Sequence, residues 1–396
     1  MWTNHKSSNS EHDVNEQGIR YHWGLLLCVF GLMLFGSVMV YSATTMFFDS
    51  AHHVKEPTGF MLRHFINILI GLVAMGVCLK IPMSTWSRIG GWRAFWISVV
   101  LAILVLVPGI GVHVKGATRW IHFPLVPFNL QVSELIKVLC LFFAAQWVVL
   151  NQRRMHSFFK VFLPFVIFVF VVGGLLMIEP DLGATVVITA ELMGVLFIGG
   201  LVYWIFGFVS AGVILLVVSI ILATPWRLQR LLAYLDPWDP NYVLDKAYQL
   251  THSLIAFGRG ELFGVGVGNS IEKLYYLPEA HTDFILAVIA EETGFIGILI
   301  IMFLYYWLVR YCFEIGRQAI KLERHFSGLF AQGVGVWFGV QSIINIGVAS
   351  GAFPTKGLTL PFVSYGGSAV LIGLATIGIL LRIDRENKIL MQGGRV

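Results

Sequence analysis

The sequence contains few charged residues. Asp, Glu, Lys and Arg make up only 12% of its 396 residues, roughly half of the share that soluble domains carry. Hydrophobic residues make up 57%, so water is not the main solvent of this chain. The length alone would predict two or three soluble domains. The apolar runs, many of them close to the roughly 20 residues that cross a bilayer, predict one helical membrane bundle instead.

Cysteine is scarce, and we expect no removable signal segment. Cys28, Cys78, Cys140 and Cys312 all fall in or beside apolar runs, which excludes the disulfide framework of small secreted proteins. The polar residues 1–21 precede an apolar run that is too long for a signal-peptide core and has no convincing cleavage site. We therefore interpret this run as an uncleaved anchor.

The apolar runs predict an all-α integral membrane protein, a polytopic bundle of about ten transmembrane helices. A large external loop, residues 224–283, separates helices 7 and 8. Residues 1–21 and 383–396 are the expected cytoplasmic tails of a membrane domain that covers 22–382. We place the helices at 22–44, 62–80, 92–110, 131–150, 158–178, 184–200, 202–223, 284–309, 327–350 and 362–382.

The net charge of +5 indicates topology and no nucleic-acid partner. Basic residues collect in both tails and in the even-numbered connections, whereas the short odd-numbered loops hold few. The positive-inside rule therefore places both termini in the cytoplasm of a cytoplasmic (inner) membrane protein. The basic positions are Lys6, Arg20, Lys80, Arg88, Arg93, Arg153, Arg154, Lys160, Arg310, Arg317, Lys321, Arg324, Arg382, Arg385, Lys388 and Arg395.

Polar residues within apolar segments mark the candidate site, because lipid excludes them. Glu134 and Lys137 open the fourth helix three residues apart, so they share a face and can pair. The pair either locks two helices together or takes part in function. Lys115 and Arg119 add two cations on the predicted outer side. Asp181 suits a helix-capping turn, whereas Glu179 has no such role and is a candidate cavity residue.

The long external loop carries the sharpest candidate. Asp283 stands directly before an apolar run, where a carboxylate could start the helix or act as a general base beside Glu279 and His281. Asp236 and Asp239 could hold a divalent cation, Mg²⁺ or Mn²⁺, although the adjacent prolines favour an ordered turn. We expect no other cofactor.

An irregular segment near residue 356 supplies the last cation. Two prolines flank Lys356 at membrane depth, where irregular backbone is tolerated only beside protein or a watery cavity. A re-entrant loop and a cationic contact to phosphate both fit. All these groups lie on the predicted external face, away from ATP, so a reaction there would need an activated lipid-linked phosphate ester. Glycosyl transfer fits such groups, and so does a lipid or solute transporter.

Five segments in order resemble the SEDS family of shape, elongation, division and sporulation proteins, over about residues 22–386. They are Lys115-Gly-Ala-Thr-Arg-Trp120, Glu134-Leu-Ile-Lys137, Glu179-Pro-Asp-Leu-Gly183, Leu277-Pro-Glu-Ala-His-Thr-Asp283 and Pro361-Phe-Val-Ser-Tyr-Gly-Gly-Ser368. Gly258-Arg259-Gly260-Glu261 and the segment 354–361 resemble the division member. Val132 and Ala247 depart from the family's usual proline and glycine, which puts local geometry there in doubt.

The resemblance implies an inverting peptidoglycan glycosyltransferase that polymerises lipid II at the outer face of the membrane, at the division septum. It implies that Asp283 is the base and that Glu134 and Lys137 support the site. Substrate binding would involve Arg259, Lys115, Arg119, Lys356, Glu279 and His281. The implied partners are a class B penicillin-binding protein transpeptidase (FtsI-like) and divisome regulators (FtsQLB-like and FtsN-like). A lipid II flippase and an elongation-type homologue remain the alternatives.

Overall fold

The computed structural model describes residues 22–44, 57–114, 117–122, 129–155 and 157–395. Thirteen helices of the α type and three strands form these segments. They are α1 (Trp23–Thr44), α2 (Pro57–Lys80), α3 (Met83–Ile89), α4 (Trp92–Leu106), β1 (Gly111–Val114), β2 (Ala117–His122), β3 (Asn129–Gln131), α5 (Val132–Asn151), α6 (Leu163–Ile178), α7 (Leu182–Ile198), α8 (Tyr203–Ala223), α9 (Pro225–Leu235), α10 (Tyr248–Gly260), α11 (Ile285–Lys321), α12 (His325–Ala349) and α13 (Gly367–Met391).

The helical membrane bundle predicted from the apolar runs is confirmed, but the count of ten is not. Among the described residues, seven helices are long and apolar enough to span a bilayer, or eight if the bent pair α3 and α4 is one span. The pair bends by 63°. Helix α7 has only 17 residues, fewer than the roughly 20 that a full crossing needs.

The core of the bundle lies around α5. In the most apolar part of this helix 83% of the residues are buried. In the corresponding part of Gly59–Lys80, in α2, only 17% are buried, so this helix faces outward. Helices α11 and α12 pack along one another, α7 packs on α5 and α12, and α2 packs on α13. Stacked aromatic rings such as Phe142 and Phe330, with centroids 4.6 Å apart, fill the space between α5 and α12.

Two connections hold more structure than the sequence suggested. A three-stranded antiparallel sheet in the order β1-β2-β3 leads into α5, where we had predicted only a loop. The segment 224–283 contains helices α9 and α10. The apolar pattern predicted neither the sheet nor these two helices, because short strands and amphipathic helices give no long hydrophobic run.

The last helix extends further than predicted, from Gly367 to Met391, so residues 383–391 of the expected tail are helical. Glu386 is buried there and accepts hydrogen bonds from the Met83 amide at 3.0 Å and from Arg382 Nε at 2.6 Å. It also pairs with Arg324. These contacts tie α13 to α3 and to the start of α12.

Helix α11 is kinked at Gly294, whose φ of 67° and ψ of −165° are not helical. A Cβ at this position would stand 2.4 Å from the Gly264 amide nitrogen. The kink therefore admits the backbone of the loop that follows α10. Two buried carboxylates, Glu291 and Glu292, lie just before it.

We expect Gly294→Ala to destabilise the protein, since this positive-φ, extended conformation alone costs a side chain on the order of 1–3 kcal/mol and the Gly264 backbone cannot move aside cheaply. Thermal unfolding in detergent, followed by tryptophan fluorescence, should show a Tm lower by several degrees. Gly174→Ala, in α6 with open space around its Cα, is the matched control. Equal Tm values for the two variants would contradict the role of Gly294.

Candidate functional site

A cavity of about 800 Å³ opens at the end of the bundle where α5, α7 and α11 begin. Its wall comes from β2, the α6–α7 turn, the α9–α10 region and the segment 354–366, which we call the strap. The charged lining residues are Arg119, Asp181, Arg230, Asp245, Lys246, Asp283 and Lys356. Four cations thus face three carboxylates, an arrangement suited to an anionic ligand.

Asp283 lies in the cavity wall directly before α11. The backbone of Gly357 in the strap packs against its carboxylate, because a Cβ on Gly357 would stand 2.7 Å from Asp283 Oδ2. Only glycine leaves room there without pushing the carboxylate aside. A carboxylate that lines a polar cavity at a helix start can accept a proton from a bound hydroxyl.

The strap has no regular secondary structure, and two hydrogen bonds join it to the chain just before Asp283, while a third closes a turn within the strap. Ser364 Oγ donates to the Thr282 carbonyl at 2.7 Å and accepts from the Leu360 amide at 2.7 Å. The Tyr365 amide donates to the His281 carbonyl at 3.0 Å. Lys356 and Asp283 therefore lie on two segments that are hydrogen-bonded to each other.

Glu134 and Lys137 form the ion pair that their spacing predicted, with Lys137 Nζ 2.8 Å from Glu134 Oε1. Both are buried, and neither lines the cavity. Lys137 also donates to Gln341 Oε1 at 2.9 Å and lies over the Trp337 ring, 5.0 Å from its centroid. The pair is thus a buried junction between α5 and α12.

Asp181 caps α7 as predicted, accepting from the Ala184 amide at 3.3 Å. It also accepts from Ser133 Oγ at 2.9 Å, which joins α7 to the start of α5. Arg119 lines the cavity but donates from Nε to the Glu179 carbonyl at 3.1 Å. Its guanidinium also binds the Pro180 carbonyl, so it fixes the α6–α7 turn.

Several predicted binding residues lie elsewhere. Arg259 does not line the cavity and pairs with buried Glu291 at 2.5 Å. Glu279 and His281 precede Asp283 without lining the cavity; Glu279 Oε2 accepts from Thr282 Oγ1 at 2.9 Å. Lys115 falls outside the described residues.

The geometry of Asp236 and Asp239 in the long loop indicates a local turn and not a cation site. Asp236 Oδ1 accepts from the Trp238 amide at 3.3 Å, and Asp239 Oδ1 accepts from the Asn241 amide at 2.8 Å. Both are the local turns that Asp side chains make with the backbone two residues on. Within the described ranges, no three His, Cys, Asp or Glu side chains gather as a metal site.

Sequence reasoning overlooked Gln341 and Asn345 on α12, as well as Lys246 in the cavity wall. Asn345 Nδ2 donates to the carbonyls of Asp283, at 3.0 Å, and Leu358, at 2.5 Å. The signal was present, since buried amides four residues apart in a spanning helix need internal partners. Glu291 and Glu292 could have been found in the same way.

The matching family and the individual relatives each cover most of this chain. The family of cell cycle proteins named after FtsW, RodA and SpoVE matches residues 23–389. A protein of Burkholderia thailandensis named "Probable peptidoglycan glycosyltransferase FtsW" is 49% identical over 98% of this chain and 84% of its own. One of the same name from Taylorella equigenitalis is 50% identical over 90% of this chain and 97% of its own.

Two solved structures share the fold. A chain of a peptidoglycan synthase complex, described as coordinating polymerization and crosslinking, superposes with a TM-score of 0.75 at 26% identity, over 93% of this chain and 98% of its own. The rod shape determining protein RodA of Thermus thermophilus superposes with a TM-score of 0.64 at 25% identity, over 94% of this chain and 99% of its own.

Glu179 generates a pH prediction. Its side chain is 1% exposed, and its carboxyl oxygens have no hydrogen-bond partner among the described residues. Burial raises the pKa of Glu179 to about 8, with Asp181 adding to the rise and Arg119 opposing it. The folded protein keeps this proton where the unfolded chain has lost it, so the stability contribution is full below about pH 4.5 and is lost as the pH rises through about 8.

We therefore expect Glu179→Gln to match the parent in Tm at pH 5 and to exceed it at pH 9. The difference in free energy of unfolding between the two proteins should grow by at most about 1.4 kcal/mol per pH unit between the pKa values of Glu179 in the unfolded and folded chains. Thermal unfolding across this range measures the difference. A constant difference in Tm between the two proteins would contradict the pKa rise.

Proposed function

The chain belongs to the FtsW, RodA and SpoVE family of cell cycle proteins, and from this premise we propose that it is a peptidoglycan glycosyltransferase that polymerises lipid II into β1→4 glycan strands. The observation that carries the proposal is the cavity, whose wall contains the carboxylate of Asp283 together with the cations Arg230, Lys246 and Lys356. The cations suit a diphosphate, and the carboxylate suits a reacting hydroxyl.

The proposed reaction is a single displacement with inversion. Asp283 accepts the proton of the 4-hydroxyl of the acceptor N-acetylglucosamine, and that oxygen attacks the anomeric carbon of the donor. The new glycosidic C–O bond forms as the bond to the diphosphate breaks. Undecaprenyl pyrophosphate departs with the bonding electrons, and its developing charge is stabilised by the nearby cations. The proton on Asp283 is then released to the solvent or to the leaving group.

The sidedness of the charges supports an outward-facing cavity. Basic residues collect at the other end of the bundle, where α5 ends before Arg153 and Arg154 and where α12 begins after Arg324. By the positive-inside rule that end and both termini are cytoplasmic, so the cavity opens outside the cytoplasmic membrane. Lipid-linked donors there carry their own activation and need no ATP.

The relatives support a transpeptidase partner. The related peptidoglycan synthase complex is described as coordinating polymerization and crosslinking, and a class B penicillin-binding protein transpeptidase is the matching partner for this chain. Septal localisation and activation by divisome regulators complete the proposal, since the relatives are FtsW proteins.

We expect Asp283→Asn to lower polymer formation from labelled lipid II by at least about 100-fold, because it removes the base with almost no change of shape. The assay uses the purified protein with its cognate transpeptidase in liposomes. Asp239→Asn, in the exposed turn of the same loop, is the matched control and should retain activity. Equal polymer from parent and Asp283→Asn would remove Asp283 from the mechanism.

The same assay separates the transporter alternative. If the parent protein makes no polymer but moves labelled lipid II across the liposome membrane, the protein is a flippase and the glycosyltransferase proposal fails.

Lys356 supplies the second prediction for this activity. We expect Lys356→Met to raise the KM for lipid II by about tenfold, the effect of losing one charge-assisted contact to phosphate, and Lys356→Arg to recover most of it. Lys321→Met, at the other end of the bundle, is the matched control. A KM unchanged by Lys356→Met would show that Lys356 does not contact the diphosphate.

A further inference from the structure

Two buried amides on α12 connect the Glu134–Lys137 pair with the base. Gln341 and Asn345 are four residues apart, so they lie on one helix face in successive turns. Their exposed fractions are 2% and 1%. Neither lines the cavity, so they can affect the reaction only through their neighbours. We call these two residues the amide ladder.

Asn345 holds the strap next to the backbone of Asp283. Asn345 Nδ2 donates to the Asp283 carbonyl at 3.0 Å and to the Leu358 carbonyl at 2.5 Å. One side chain thus fixes the backbone of the base and the residue after Gly357. Because Gly357 touches the Asp283 carboxylate, this bond sets how closely the strap approaches the reacting group.

Gln341 joins the Glu134–Lys137 pair to the same strap. Gln341 Oε1 accepts from Lys137 Nζ at 2.9 Å and from Trp337 Nε1 at 2.8 Å. Its Nε2 donates to the Thr359 carbonyl at 2.8 Å. The two acceptor bonds fix which way the amide points, so that its NH₂ group faces the strap. Glu134 in turn fixes Lys137 at 2.8 Å.

We propose that Gln341 and Asn345 are positioning residues for Asp283, and that the Glu134–Lys137 pair acts on glycosyl transfer through this amide ladder without touching the substrate. The inference rests on the proposed function, in which Asp283 is the base. Displacing a catalytic group by about 1 Å can cost on the order of 100-fold in rate. A strap fixed at consecutive carbonyls, Leu358 and Thr359, limits such a displacement.

The first test breaks each rung with a side chain of similar shape. We expect Gln341→Met and Asn345→Leu to lower kcat for lipid II polymerisation by about 10- to 100-fold. KM and the affinity for lipid II should stay within about twofold of the parent, since the cations that bind the diphosphate are untouched. Gln332→Met, a buried glutamine near the other end of α12, is the matched control and should leave both constants unchanged.

The second test asks whether the ion pair acts through Gln341. Lys137→Met and Gln341→Met should each lower kcat, and the double variant should lower it no further than the larger single loss, because the pair acts through Gln341. Independent losses that multiply in the double variant would overturn the proposal, because the ion pair would then act without the bond to the strap.

The third test approaches from the strap and removes no buried hydrogen bond. Gly357→Ala places a methyl group against the Asp283 carboxylate, so kcat should fall while KM and Tm stay near the parent values. If the ladder variants do not fold or do not bind the transpeptidase, parent kcat in Gly357→Ala would still overturn the proposal, because the approach of the strap would then not set the position of Asp283. A change in KM alone, in Gly357→Ala or the ladder variants, would assign these residues to substrate binding and overturn the proposal.

The parent protein distinguishes the two levels of inference. If the parent makes no polymer, the proposed function fails. If the parent makes polymer, Asp283→Asn makes none, and Gln341→Met and Asn345→Leu keep the parent kcat, then only the positioning role fails.

Discussion

A lysine ammonium deep in an apolar bundle must be neutralised and hydrogen-bonded, because an unpaired buried charge is prohibitively costly. Lys137, fully buried on α5, is that charge. Its partners, Glu134, Gln341 and the face of Trp337, come from α5 and α12. Satisfying this one group fixes the register between the two central helices, and through Gln341 it also fixes the strap. The register of α5 and α12 in turn determines the shape of the cavity at the end of the bundle.

A second set of buried charges shapes the loop that follows α10. Glu291 and Glu292, next to the kink of α11, pair with Arg259 and with Lys273 at 2.7 Å. These pairs draw α10 and the glycine-rich loop onto the kinked helix, and Gly294 provides the space. The long segment between α8 and α11 is therefore an ordered part of the fold, and Arg259 helps to hold it in place.

These two polar systems explain how a membrane protein can hold a precise polar site with little regular structure around it. Asp283 and Lys356 both stand on segments without helix or strand. Their positions depend on side chains of the rigid helices, Asn345 above all, that bind the backbone of those segments. An irregular backbone at membrane depth is stable only when its polar groups are satisfied in this way. The geometry of the cavity therefore depends on residues that do not line it.

The sequence by itself determined the solvent, the helical class and the residue types of the site. Hydrophobic runs predict helices because each crossing must satisfy its backbone internally, and the spacing of Glu134 and Lys137 predicted their pairing. Tertiary structure alone decided the number of spans, the sheet before α5 and the length of α13, because short strands and amphipathic helices leave no long apolar run. It also decided that Arg259 leaves the cavity, that Lys246 joins it and that Asn345 holds Asp283. Those contacts join residues that are far apart along the chain, such as Lys137 and Gln341, and no local pattern records which buried donor will find which acceptor.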